Sequence, residues 1–273
     1  MTQTEVKHRI YGVDFSGSKT ACNKIWISEA IIEKSTLHIL RCYPIKDIVS
    51  GKKKDRDSCL LALRSLISSS PDGVFGMDFP FSLPKELLFT DDWESFVSGF
   101  AESYTSPEQF RNKMRELTHK KELKRLTDTE VKAPFCVYNL RLYRQTYFGI
   151  RDVLLPLFKE RSACMIPMQE PVGGKPWLME ICPASTLKKE GLYISYKGKS
   201  GREKEARKHI LEKMEKLGIS VTTEVKNSML NNEDGDALDS MLAAFAASKA
   251  IPRLKGITNS LPPIYFQEGY TFF

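Results

Sequence analysis

The chain has 273 residues, 41% of them hydrophobic and 27% charged, and a net charge of +7. That length can bury one sizeable core or just two small domains. No apolar run reaches the roughly 18–20 residues needed to span a bilayer, so no membrane partner is expected. Six cysteines (Cys22, Cys42, Cys59, Cys136, Cys164, Cys182) and four histidines (His8, His38, His119, His209) are scattered, without a Cys-x-x-Cys pair or a helical His pair. This spacing argues against structural zinc, the chain's length and apolar content argue against a disulfide framework, and reduced thiols are expected. Residues 1–9 are polar and resemble no signal peptide, which makes the expected location cytoplasmic.

In chain order, residues 8–15, 24–32 and 37–43 read as three strands rich in Ile, Val, Tyr and Trp, joined by short polar links as an antiparallel meander. A helix is predicted over 57–67, with Leu60, Leu61, Leu63, Leu66 and Ile67 on one broad face. Pro71-Asp72-Gly73 ends it, and 74–79 reads as a short buried strand stopped by Pro80. From 84 to about 164 strand signals fade and helical patterns take over, which predicts a helical insertion (85–165) in a core made of 1–84 and 166–273. A strand follows over 176–182, then a charged helix over 202–217 closed by Gly218, and a nearly all-apolar helix over 234–250. Residues 257–273 read as an extended segment too apolar to dangle free. The order fits a mixed α/β sheet flanked by helices.

The positive charge is concentrated in the insertion. Residues 111–161 hold thirteen Lys/Arg against six Asp/Glu, and the remainder is balanced at 28 against 28. Such a distribution suits a surface that faces a polyanion, or a solvated helical surface with incidental bias. Tyr138, Arg141, Tyr143, Arg144, Tyr147, Phe148 and Arg151 interleave aromatic and basic residues, so bases can stack while cations meet phosphates. Leu140, Tyr143, Tyr147 and Phe148 equally suit the insertion's own core. We read most of the aromatics as core, and Arg141, Arg144 and Arg151 as candidate nucleic-acid contacts.

Carboxylates in apolar sequence carry the main functional signal, because a buried lone charge is costly. Asp14 ends the first strand, with Val13 and Phe15 directed to the other face. Its bland role is to cap the Ser16-Gly17-Ser18 turn. Asp78 stands among Val74, Phe75, Gly76, Met77 and Phe79, with no cation nearby in sequence. Glu180 lies between Met179 and Ile181, just before Pro183 ends the strand. Asp236 and Asp239 share one face of the last helix. Helix-dipole stabilisation, worth about 0.3–1 kcal/mol, explains acids near that N-terminus but not two on its packed small-residue side. Brought within about 4 Å, such carboxylates repel by several kcal/mol per pair at an effective dielectric of about 20. Hard oxygen ligands without His or Cys point to Mg²⁺ or Mn²⁺, and two such ions can drive phosphodiester cleavage.

Gly12-Val13-Asp14-Phe15-Ser16-Gly17, Met77-Asp78-Phe79-Pro80, Glu180-Ile181-Cys182-Pro183 and the run from Asp236 to Ala244 resemble the RNase H-like superfamily. More narrowly they resemble the domain-of-unknown-function family 429 of predicted nucleases, as does Glu268-Gly269-Tyr270. The resemblance implies three antiparallel strands followed by parallel ones. It also implies a nuclease whose Asp14, Asp78, Asp239 and Asp236 hold two metal ions, with an Asp-x-x-Asp like that of RuvC-type resolvases. Glu180 and Lys19 enter as accessory residues, Glu180 without a counterpart among the superfamily's usual ligands. The implied partner is a nucleic acid, and a homodimer would suit a resolvase. Two alternatives are a phosphotransferase or ATPase of the actin-like fold, loosely allowed by Asp14-Phe15-Ser16-Gly17-Ser18-Lys19, and a non-catalytic nucleic-acid-binding protein using the basic insertion.

Overall fold

Three consecutive strands open a computed structural model that describes residues 9–273. They are β1 (Arg9–Asp14), β2 (Trp26–Glu33) and β3 (Thr36–Pro44), with a single helical turn, α1 (Ala21–Lys24), between the first two. Both pairings are antiparallel, and Lys34 and Ser35 close the second hairpin with positive φ at both positions. That backbone matches the right-handed strand twist, which is why so short a link suffices. The predicted start of the first strand at His8, with the rest of 1–8, lies outside the described residues. Helix α2 (Arg56–Ser68) is capped by Asp55, which accepts from the Ser58 N–H at 2.9 Å. Leu61 points to solvent rather than into the predicted apolar face. Strand β4 (Gly73–Met77) then pairs parallel with β1.

The following helical region comprises α3 (Trp93–Ser103), α4 (Pro107–Leu117), α5 (Leu126–Glu130), α6 (Tyr143–Gly149) and α7 (Leu155–Lys159), the last two joined by a π-helical turn over Ile150–Leu154. The chain returns through β5 (Cys164–Ile166), β6 (Trp177–Ile181), α8 (Pro183–Lys189), α9 (Gly201–Lys216), β7 (Ile219–Val221), α10 (Thr223–Asn231) and α11 (Asp236–Ala250). It ends in α12 (Leu254–Ser260), α13 (Tyr265–Glu268) and β8 (Thr271–Phe272). The sheet order is β5-β6-β4-β1-β2-β3-β7, with β8 also on β6, and β2 alone runs against its neighbours. The protein is therefore a mixed α/β sheet flanked by helices. Among the described residues no helix is long and apolar enough to cross a membrane.

Each sheet face carries its own core. Tyr11, Val13, Phe75 and Met77 pack against α2 and the helical insertion, whose Phe96, Phe100, Phe110 and Tyr147 are fully buried. Burial of each such side chain stabilises by about 1.5–3 kcal/mol. The insertion thus covers part of one face, beside α2, and shares its core with the sheet. Tyr143, Tyr147 and Phe148 belong to that core, whereas Leu140 is 66% exposed. On the other face Ile10, Val74 and Met179 meet α9, α10 and α11. Fourteen of the fifteen residues of α11 are buried, Lys249 being the exception.

Two expectations are corrected. Residues 257–273 are not one extended segment: the end of α12 and the turn of α13 make up about half of them, and Pro262 and Pro263 precede the first turn of α13, where a missing N–H costs nothing. Only Thr271 and Phe272 form a strand. The cysteines are not all reduced: Cys22 of α1 and Cys59 of α2 form a disulfide, with Cα atoms 5.6 Å apart. Packing of α1 on α2 creates that proximity, and a separation of 37 residues in sequence gave no sign of it.

Candidate active site

The four predicted aspartates meet where β1 and β4 end. Val13 pairs with Met77, so Asp14 and Asp78 stand side by side at the carboxyl ends of two adjacent parallel strands. The Asp78 N–H continues the ladder by donating to the Val13 carbonyl at 2.9 Å. Strand alternation sends Ile10, Gly12 and Asp14 toward the α11 face, while Tyr11, Val13 and Phe15 enter the opposite core. Ligands of open α/β sheets commonly bind beyond the carboxyl ends of the strands.

Two glycines let α11 approach. A Cβ on Gly12 would lie 1.8 Å from the Ser240 carbonyl oxygen, and one on Gly76 would lie 2.4 Å from that of Ala243. The helix therefore rests on strand backbone, with Ser240, Ala243 and Ala244 as its contact stripe. Ser28 and Ser240 share a buried hydrogen bond of 2.7 Å across this seam. One turn toward the helix start, Asp236 and Asp239 arrive beside Asp14 and Asp78.

The result is an excess of buried negative charge. Asp14 and Asp239 are only 7% and 2% exposed. Burial, then Asp239 and Asp236, hold the Asp14 carboxyl well above the usual range. Burial, then Asp239, push Asp78 up to about 7, and its side chain is hydrogen-bonded to that of Asp14. Burial also raises Asp236 to about 6, against the opposing pull of Lys197 and Lys24. Lys24 stands 3.9 Å from Asp236 Oδ2 but pairs closely with Asp234, leaving that buried oxygen without a hydrogen bond.

Lys197 is the cation that enters the cluster. Its Nζ lies 2.5 Å from Asp239 Oδ2, while the Tyr196 hydroxyl donates to Asp239 Oδ1. Burial disfavours the ammonium, but Asp239 and Asp14 outweigh it and keep Lys197 charged well beyond neutral pH. Both residues sit in the segment between α8 and α9. Buried Arg207 of α9 grips that segment by donating to the carbonyls of Tyr196 at 2.7 Å and Gly198 at 3.0 Å. The sequence left 190–200 unassigned, and its only signal was a Tyr-Lys pair in a stretch without periodicity.

Among the described residues no three acidic, histidine or cysteine side chains form a ready-made metal cage. The donor chemistry nevertheless fits a hard divalent cation: every candidate ligand is a carboxylate oxygen, and Asp236 Oδ2 is buried without a hydrogen bond. Mg²⁺ characteristically keeps several waters and needs only one or two protein carboxylates. Cys182 lines the adjoining cleft, but burial pushes its thiol up to about 11, so it is no ready nucleophile.

Glu180 belongs to a different assembly. Its partner in register is Met77, one residue short of Asp78, so its side chain leaves the sheet on the insertion side. There Arg125, only 1% exposed, pairs with Glu180 and with Asp128, and donates to the Glu268 carbonyl at 3.1 Å. Glu180 also accepts from the Phe81 N–H at 2.8 Å and from the Thr271 hydroxyl at 2.9 Å. The Glu268 carboxylate accepts from Lys85 N–H at 2.7 Å and Leu126 N–H at 2.8 Å. Glu180-Ile181-Cys182-Pro183 and Glu268-Gly269-Tyr270 thus converge on one buried arginine of the insertion, which nothing near Glu180 in sequence announced.

The remaining candidates separate. Lys19 is an exposed turn residue. Arg144 pairs with Glu108, and Arg151 makes a two-pronged pair with Asp152 at 2.7 and 2.9 Å while donating to the Tyr147 hydroxyl. Only Arg141 borders a cleft of about 540 Å³ that also touches Asp78, Asp239 and Lys197. Comparison with protein-family profiles, curated proteins and solved structures found no match to this chain.

Proposed function

We propose that the protein is a divalent-metal-dependent phosphodiesterase of the RNase H-like kind acting on nucleic acid. The observation that carries this reading is the crowding of carboxyls at the ends of β1 and β4, where Asp14, Asp78 and Asp236 are all displaced upward and four acids meet only one close lysine, Lys197. A purely structural role would leave such acids fully hydrogen-bonded, as Glu180, Asp128 and Glu268 are. Three consecutive antiparallel strands followed by the parallel pairings of β4 and β6 support the same reading, since the resemblance implies that pattern.

Asp14, Asp78, Asp236 and Asp239 would hold the metal, which when bound neutralises developing charge and acidifies water. The chain's own residues do the rest. Gly12 and Gly76 fix the acids by letting α11 close on the strands, and Lys197 brings a cation that meets the phosphate charge. The pairing of Arg144 and Arg151 within the insertion weighs against a protein that merely binds polyanions through that surface. The test is a cleavage screen over single-stranded, duplex, hybrid and junction substrates with Mg²⁺ or Mn²⁺. Cleavage that disappears with chelator and in both Asp14→Asn and Asp78→Asn is expected. Full activity in either variant, or with the chelator present, overturns the reading.

A further inference from the structure

Asp78 and Asp239 open onto the 540 Å³ cleft, and two of its walls come from separate parts of the chain. The insertion contributes Pro134, Phe135 and Arg141, and the segment between α8 and α9 contributes Tyr193, Ile194 and Lys197. Each wall is anchored by a buried arginine. Arg125 ties the insertion to Glu180, and Arg207 clamps the carbonyls on either side of Lys197. The cleft is therefore built into the fold. Its size lies within the range of pockets that take small organic ligands, of about 300–1,000 Å³, and is far too small for a duplex.

Its lining is unusual for a solvent-facing surface. Tyr193 and Ile194 are 52% and 41% exposed, and Phe135 is half-buried with the Arg141 guanidinium 5.4 Å from its ring centre. Lys188 lies 4.9 Å from the ring centre of Tyr193. Exposed aromatic faces with adjacent cations, next to an acid cluster, form a stacking platform for a base whose phosphate carries negative charge. We infer that the cleft receives an unpaired nucleotide, so the substrate is a single strand or a single-stranded segment of a larger nucleic acid. This rests on the phosphodiesterase reading and names its substrate class.

The experiment is fluorescence anisotropy of a labelled oligothymidylate and of a blunt duplex of equal length. Asp14→Asn protein in Ca²⁺ serves as parent, so that binding is read without turnover. The single strand is expected to bind more tightly than the duplex. Tyr193→Ala and Phe135→Leu, which keeps apolar bulk at the half-buried site, are each expected to weaken single-strand binding by about tenfold, the scale of one lost base stack. Duplex binding should stay within about twofold. Single-strand affinity unchanged in both variants, absent binding of the single strand, or a preference for duplex overturns the inference. Wild-type protein that cleaves duplex in Mn²⁺, indifferent to Tyr193 and Phe135, would sink the cleft assignment while leaving the nuclease reading intact. Tight, variant-sensitive single-strand binding without any metal-dependent cleavage would sink the nuclease reading and leave the cleft assignment standing.

Discussion

Two sets of carboxylates lie at the same end of one sheet, and they differ in how their oxygens are satisfied. Glu180, Asp128 and Glu268 close around Arg125, with backbone N–H groups and the Thr271 hydroxyl completing the set. Asp14, Asp78, Asp236 and Asp239 have Lys197 and a distant Lys24, and one Asp236 oxygen has no hydrogen bond at all. Every carboxylate oxygen of the first set accepts a hydrogen bond, and the set joins three parts of the chain: insertion, β6 and the C-terminal segment. The second has four acids, one close lysine and an oxygen without a hydrogen bond, and members of both sets line the same cleft. Satisfied buried ions hold a fold together, whereas unsatisfied ones store a demand that a ligand can meet.

That contrast can be broken in both directions. The largest effect on stability is expected from Arg125→Met, which strands Glu180 and Asp128 without their cation. It should cost about 3–5 kcal/mol in urea unfolding, and a loss below about 1 kcal/mol would show the network to be dispensable. Asp14→Asn should do the reverse. Activity is expected to fall by at least about 10³-fold, while thermal stability holds or rises because one member of a crowded set of acids is gone.

A smaller effect separates the two sets by pH. Asp78 and Asp236 are raised to about 7 and about 6, so the folded state holds protons there that the unfolded chain releases near pH 4. Their contribution to stability is complete below pH 4 and is lost as pH rises toward 7. The Tm in metal-free buffer should therefore fall by several degrees between pH 5 and pH 8, and Asp78→Asn should flatten that decline. A slope identical in the variant would remove Asp78 as its source. The smallest effect expected is at the surface arginines. Arg141→Ala should weaken nucleic-acid binding a few-fold and lower the salt slope by about one. Arg144→Ala and Arg151→Ala should change binding little, because their guanidiniums are committed to Glu108 and Asp152.

Much of the secondary structure was legible locally. Strands β1 to β3, helix α2, strands β4 and β6, and helices α9 and α11 lie within a few residues of their predicted positions, since alternation and helical periodicity are local signals. Short elements such as β5, β7 and β8 were not legible, because two or three residues carry no period. At the site, Asp14, Asp78 and the Asp236/Asp239 pair stood out because acids are conspicuous in apolar runs. Lys197 did not stand out, being one lysine in a basic loop.

The sequence by itself determined which carboxylates are out of place in apolar surroundings, and that a nearly all-apolar helix carries two of them. Only the tertiary structure decided which of those acids share a site. Glu180 and Asp78 look alike in sequence, yet one residue of register sends Glu180 to Arg125 and Asp78 to Asp14. Side chains alternate across a strand, so a face is assigned only when neighbouring strands pair. Gly12 and Gly76 then settle how closely α11 can approach, and that distance exists only between elements far apart in the chain.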